Sequence, residues 1–167
     1  NVTVRNCQFL NSGNDAIDLM SSEALITDSE LSGSGDKGIS VGEDSRAMIY
    51  NTRVNKNSVG VESKDASIAC LINSLFEDNK TQINAYTKNW RYGTGGSAIV
   101  DKSVFISHVN RFSADKNSSI RVIDSSISPM VVNSGIRVSV DHTSDDSPGI
   151  KAHLSSYESA CMSMLDS

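Results

Sequence analysis

One phrase recurs along the chain: an apolar residue, any residue, usually Asn or Asp, a small residue, any residue, and a second apolar residue. It reads Val4-Arg5-Asn6-Cys7-Gln8-Phe9, Ile26-Thr27-Asp28-Ser29-Glu30-Leu31, Ile49-Tyr50-Asn51-Thr52-Arg53-Val54, Leu71-Ile72-Asn73-Ser74-Leu75-Phe76, Val100-Asp101-Lys102-Ser103-Val104-Phe105 and Val122-Ile123-Asp124-Ser125-Ser126-Ile127. The first residues stand 22, 23, 22, 29 and 22 apart by subtraction. A period in the twenties makes each unit one turn of a solenoid, which buries its apolar face only against its neighbours.

A second register runs inside each unit. Ile17, Ile39, Val61 and Ile83 follow at intervals of 22, and each starts an alternating segment, as in Ile17-Asp18-Leu19 and Ile39-Ser40-Val41. Alternation with a period of two is the mark of a strand with one buried face. Each unit therefore supplies two or three short strands between turns of Gly, Asn, Asp and Ser, with no run at helical spacing that could serve as a repeat helix. Equivalent strands stack in parallel at ~4.8 Å, so six coils make a column roughly 30 Å tall, lined by aliphatic side chains. An aromatic content of only 5% suits so narrow a core. A parallel connection of this kind is right-handed in nearly all folds.

The net charge of −5 and the lack of a Lys/Arg stripe argue against a nucleic-acid partner. No apolar run is long enough to span a membrane. Cys7, Cys70 and Cys161 suggest no disulfide or zinc framework; Cys7 takes the small-residue place that Ser29, Thr52, Ser74, Ser103 and Ser125 fill elsewhere, where a packed thiol is expected. The chain opens on a strand in mid-pattern, so further domains upstream, or a second copy, are expected to cover that end. Gly33-x-Gly35-x-x-Gly38 has dinucleotide-fingerprint spacing but precedes the strand Ile39-Ser40-Val41 and not a helix, so its glycines read as a turn.

Taken together, Asn14-Asp15-Ala16-Ile17-Asp18-Leu19, Gly35-Asp36-Lys37-Gly38-Ile39-Ser40-Val41-Gly42-Glu43, Ser63-Lys64-Asp65 and the stretch Ala85 to Gly96 resemble bacterial right-handed parallel β-helix repeat proteins over roughly residues 1–140. The resemblance implies an all-β right-handed parallel β-helix in an extracellular or cell-envelope setting. It also implies kinship with the pectate-lyase-like superfamily, whose members act on polysaccharide. Gly13-Asn14-Asp15-Ala16-Ile17 and Gly33 to Gly42 are similar to successive polygalacturonase coils. Asn14 replaces the first acid of that family's pair, Asp36-Lys37 stand where its histidine would be, and no Arg-x-Lys phrase follows.

Asp15, Asp18 and Asp36 are thus the remaining catalytic candidates for a lyase, hydrolase or epimerase, which needs an acid and a base flanking one sugar bond. Asp36, Glu43 and Asp65 on successive turns are candidates for a calcium site, and no other cofactor is expected. The competing reading is a partly paired acidic face, with Lys37 over Asp15 and Lys64 beside Asp65. No complete catalytic set is visible, which favours a non-catalytic module presenting a face to polysaccharide or to a partner protein.

Two segments break the repeat. The 29-residue interval holds an insertion, Tyr86 to Gly96, with the only Trp of the chain. Trp90, Tyr92 and Tyr86 are candidates for a sugar-stacking platform beside the outward ladder Asp18, Ser40, Glu62 and Asn84; the competing reading, slightly favoured by the sequence, is that Trp90 folds back over the coil flank. The repeat stops after Val140, which divides the chain into a β-helix over 1–140 and a linker and cap over 141–167. In that tail Ile150, Leu154, Tyr157, Cys161, Met164 and Leu165 fall at helical spacing, and a short helix capping the open core is expected.

Overall fold

The computed structural model describes residues 1–132, 138–141 and Cys161. Its first coil runs β1 (Val2–Arg5), β2 (Gln8–Leu10) and β3 (Ile17–Met20), and its second β4 (Glu23–Thr27), β5 (Glu30–Ser32) and β6 (Lys37–Gly42). The third runs β7 (Arg46–Tyr50), β8 (Arg53–Asn55) and β9 (Val59–Lys64), and the fourth β10 (Ile68–Ile72), β11 (Leu75–Glu77) and β12 (Thr81–Tyr86). The fifth holds β13 (Ser97–Asp101) and the long β14 (Val104–Ala114), the sixth β15 (Ser119–Ile123) and β16 (Ser126–Val132), and β17 (Val138–Asp141) begins a further turn.

Strands of successive coils pair in parallel. Sheet 1 is β1-β4-β7-β10-β13-β15-β17. Sheet 2 (β2, β5, β8, β11) and sheet 3 (β3, β6, β9, β12) meet in β14, which runs through the corner with a register shift between Ile106 and Asn110.

Each phrase of the repeat becomes a stack. Val4, Ile26, Ile49, Leu71, Val100 and Val122 form one column by register, and Phe9, Leu31, Val54, Phe76, Phe105 and Ile127 another. The third column is Ile17, Ile39, Val61 and Ile83, which Phe112 continues in β14. Ile39, Val61, Ile83 and Phe112 are fully buried, each contributing about 1.5–3 kcal/mol of transfer free energy. Where the second column turns aromatic, Phe76 stacks on Phe105, whose ring meets Phe112 of the third column edge-on.

The Asn/Asp preference has a backbone cause. Asn6, Asp28, Asn51, Asn73, Lys102 and Asp124 all sit at the corner between sheets 1 and 2 with φ between 42° and 52°. Asn and Asp tolerate this left-handed region better than other residues with a β-carbon. The small residue that follows closes the corner. The Ser29, Ser74, Ser103 and Ser125 hydroxyls each accept the N–H of the equivalent residue one coil earlier and donate to the carbonyl two residues back. Cys7 belongs to this ladder: its N–H donates to Ser29 Oγ and its thiol to the Arg5 carbonyl.

The corner between sheets 2 and 3 is held by a buried amide ladder that the repeat phrase does not announce. Asn57 donates to Asn79 Oδ1 (3.0 Å), Asn79 to Gln82 Oε1 (2.8 Å) and Gln82 to Asn110 Oδ1 (2.8 Å). The spare donors of Asn57 and Asn79 go to the carbonyls of Leu31 and Val54. Paired amides can be buried here because each satisfies the next.

The cysteine expectation is corrected. Cys70 and Cys161 form a disulfide, and Cys7 is free. The pairing was missed because Cys70 belongs to a coil and Cys161 lies outside the repeat, so no spacing relates them. Cys161 is helical, yet it does not sit over the end of the coil stack. It packs on the outer face of sheet 1 with Met48, Cys70, Ile99 and Ile123, and Leu25, Ile68 and Ile72 border this second apolar cluster. The remainder of the expected helix, Ile150 to Leu165, lies outside the described residues.

Candidate functional site

The outward positions of sheet 3 carry the candidate residues. Register places Asp18, Ser40, Glu62 and Asn84 opposite one another on β3, β6, β9 and β12, as the 22-residue spacing requires. Their accessibility departs from expectation. Asp18 is exposed and Asn84 half-buried, but Ser40 is 0% and Glu62 3% exposed although both point away from the core. Two lysines cover them. Lys64 reaches back to Ser40 Oγ (2.9 Å) and lies 3.5 Å from Glu62 Oε1. Its stem crosses Gly42, where a β-carbon would collide with it.

Lys37 bridges the acids of three coils. Its ammonium stands 3.7 Å from Asp15 Oδ1 and 3.9 Å from Glu62 Oε1, and it donates to Asp36 Oδ2. Lys37 over Asp15 agrees with the sequence reading; Lys64, expected beside Asp65, turns instead to Glu62 and Ser40. The Glu62 carboxylate also accepts from Asn84 Nδ2 (3.3 Å) and the Tyr86 hydroxyl (3.3 Å).

Burial lowers the pKa of Lys37, but the hydrogen bond to Asp36 and the charges of Glu62 and Asp15 outweigh it and raise the value overall. Burial first, then the charge and hydrogen bond of Glu62, push the Tyr86 phenol up to about 12. Both groups therefore keep their protons at neutral pH, and neither is a base there. Of the catalytic candidates, Asp15 and Asp36 are occupied by Lys37, and Asp18 stands on the open ladder.

The calcium candidates do not converge. Among the described residues no three His, Cys, Asp or Glu side chains are grouped to hold a metal ion. Asp36 is tied to Lys37, Glu43 lies on the turn after β6, and Asp65 is 1% exposed with its Oδ1 accepting the N–H groups of Lys88 and Asn89 at 2.7 Å each.

The insertion after β12 does not fold over the coil flank. Trp90 is 81% exposed on a one-turn 3-10 helix, Trp90–Tyr92. Asn89 caps this turn by accepting the Arg91 N–H, and Gly93, in the left-handed region, closes it with its own N–H on the Trp90 carbonyl. The Arg91 guanidinium lies 6.0 Å from the Trp90 ring centre. Tyr92 is half-buried, and desolvation, then the negative charges of Glu43, Asp65 and Asp44, raise its phenol, so it stands near the acidic turns of the second and third coils.

A separate open groove of 610 Å³ follows the corner between sheets 1 and 2, lined by Asn6, Cys7, Gln8, Asp28, Asn51 and Arg53 among others. Its charged groups are engaged: Asp28 accepts from Asn51, and Arg53 pairs with Glu77 and Glu30.

The chain matches the family model described as right-handed β-helix region over residues 1–157. It belongs to the right-handed β-helix family. No curated protein and no solved structure matches it. For this β-helix, sequence spacing located the ladder and the insertion. It placed Lys37 over Asp15 but not the contacts by which Lys37 and Lys64 seal the ladder at Glu62 and Ser40, because their reach along the sheet leaves no periodic trace. Among the described residues no helix is long and apolar enough to cross a membrane.

Proposed function

We propose that the chain is a non-catalytic, extracellular β-helix module that binds polysaccharide at the Trp90 insertion. The observation that carries this reading is Trp90 itself, a large aromatic held open on a capped turn. Leaving such a side chain open to water brings no folding gain, whereas a flat ring offers a stacking surface for a pyranose. Asn84 and Asp18 are the ladder residues still open to a ligand.

The enzymatic alternative is disfavoured because Lys37 holds Asp15 and Asp36, leaving Asp18 as the one open candidate where the chemistry needs both an acid and a base. A disulfide between Cys70 and Cys161 fits an oxidising compartment and supports the extracellular setting. The partly neutralised acids suit a neutral glycan, or an acidic one bridged by calcium.

The test is binding of cellohexaose, and of hexagalacturonate with and without calcium, to the unmutated chain and to Trp90→Ala, with product analysis on both oligomers. Loss of binding in the variant without product release supports the reading. Equal affinity of the two proteins, or release of shorter oligomers, overturns it.

A further inference from the structure

When the chain leaves sheet 3 after Tyr86, its next N–H groups lose their ladder partners and would ordinarily face water in a mobile loop. Here three consecutive ones are taken by carboxylates of the two neighbouring coils. Thr87 N–H donates to Asp115 Oδ2 at 2.8 Å, and Lys88 and Asn89 donate to Asp65 Oδ1. Asp65 ends the third coil and Asp115 follows the fifth, so the fourth coil's insertion is gripped from both sides.

We propose that Asp65 and Asp115 are positioning residues that hold the Trp90 loop in a single conformation. The proposal rests on the binding reading above only for its functional consequence.

Each carboxylate is itself oriented. Asp115 Oδ1 accepts the Ser118 hydroxyl (2.7 Å) and the Asn117 N–H (3.0 Å). Burial would raise its pKa, but these bonds and that of Thr87 prevail and lower it, so the charged, accepting form is favoured. Asp65 is buried, and the neighbouring Ala66 N–H donates to the Gly95 carbonyl, fastening the returning limb of the loop. Gly95 and Gly96 donate in turn to the carbonyls of Asn117 and Tyr86. From this anchored base Asn89 caps the turn that carries Trp90. A loop ordered before binding spares the ligand the entropy of ordering it.

Trp90 is the only tryptophan, so its fluorescence reports the loop alone. In Asp65→Ala and in Asp115→Ala we expect lower Trp90 anisotropy and trypsin cleavage after Lys88 and Arg91 about tenfold faster, since cleavage follows the open population. Asp65→Asn, which keeps an acceptor oxygen, restores most of the order, a rescue that a purely electrostatic role would not give. Glu23→Ala, at an exposed acid on sheet 1, is the control and leaves the loop unchanged. Cellohexaose affinity falls about tenfold in the two Ala variants if the binding reading also holds.

Unaltered anisotropy and cleavage in both Ala variants overturn the proposal. If Asp65→Ala does not fold, Asp115→Ala decides alone. A loosened loop with Trp90→Ala binding as tightly as the unmutated chain upholds the clamp and overturns the binding reading, so the two fail separately.

Discussion

The central outward positions of sheets 1 and 3 are both hidden from water, by opposite means. On sheet 1 Met48 and Cys70 point outward yet are 0% exposed, in an apolar cluster completed by Cys161. On sheet 3 Ser40 and Glu62 are hidden beneath Lys37 and Lys64, whose stems lie along the sheet while their ammonium groups meet the acids. The first face gains stability from apolar burial and a covalent tie. The second spends most of its Coulombic gain on desolvating charges, so its net contribution is small while the loss of one partner is large. A solenoid can thus leave the same outward strand positions to packing on one side and to a charge network on the other.

The comparison can be broken most sharply at the disulfide. Cys70→Ala, or reduction, frees a 91-residue connection, and the chain-entropy relation gives a loss of about 4–5 kcal/mol, measurable by denaturant unfolding. A loss below ~1 kcal/mol would mean that packing at Cys161, not the cross-link, secures the face.

On the charged face, Glu62→Ala leaves Lys37 and Lys64 facing each other without their shared acceptor and removes the Tyr86 partner. We expect a loss of about 3 kcal/mol in the same assay. An unfolding midpoint indistinguishable from the unmutated chain would show the network to be mere surface pairing.

Alkaline pH separates the faces without mutation. The Tyr86 phenol is raised from 10.0 to about 12, so between these values the unfolded chain has lost a proton that the folded one keeps. Stability contributed by this group is present below pH 10 and is lost as pH rises through about 12. Lys37, raised above its ordinary 10.5, acts in the same direction. Tyrosinate absorbance should show the Tyr86 step last and that step moving down in Glu62→Ala; a last step unmoved by this substitution would refute the assignment.

The smallest effect on stability is expected at Trp90→Ala, within about 0.5 kcal/mol, because the ring touches little of the fold. A larger loss would make Trp90 a packing residue.

Much of the architecture was legible because a solenoid repeats its environment. Val4, Ile26, Ile49, Leu71, Val100 and Val122 see the same neighbours one coil apart, so a local pattern already encodes a long-range register. Alternation then separated inward Ile39 from outward Ser40, and the one long interval located the insertion. Tertiary structure alone decided whatever joins positions with no fixed spacing: the Cys70–Cys161 bond, the links of the amide chain from Asn79 through Gln82 to Asn110, and the carboxylate grip of Asp65 and Asp115 on the loop. It also decided that Ser40 and Glu62 are covered while Trp90 is open. The period specifies which way a side chain leaves the sheet, but its exposure depends on how far its neighbours reach, and the reach of a lysine has no period.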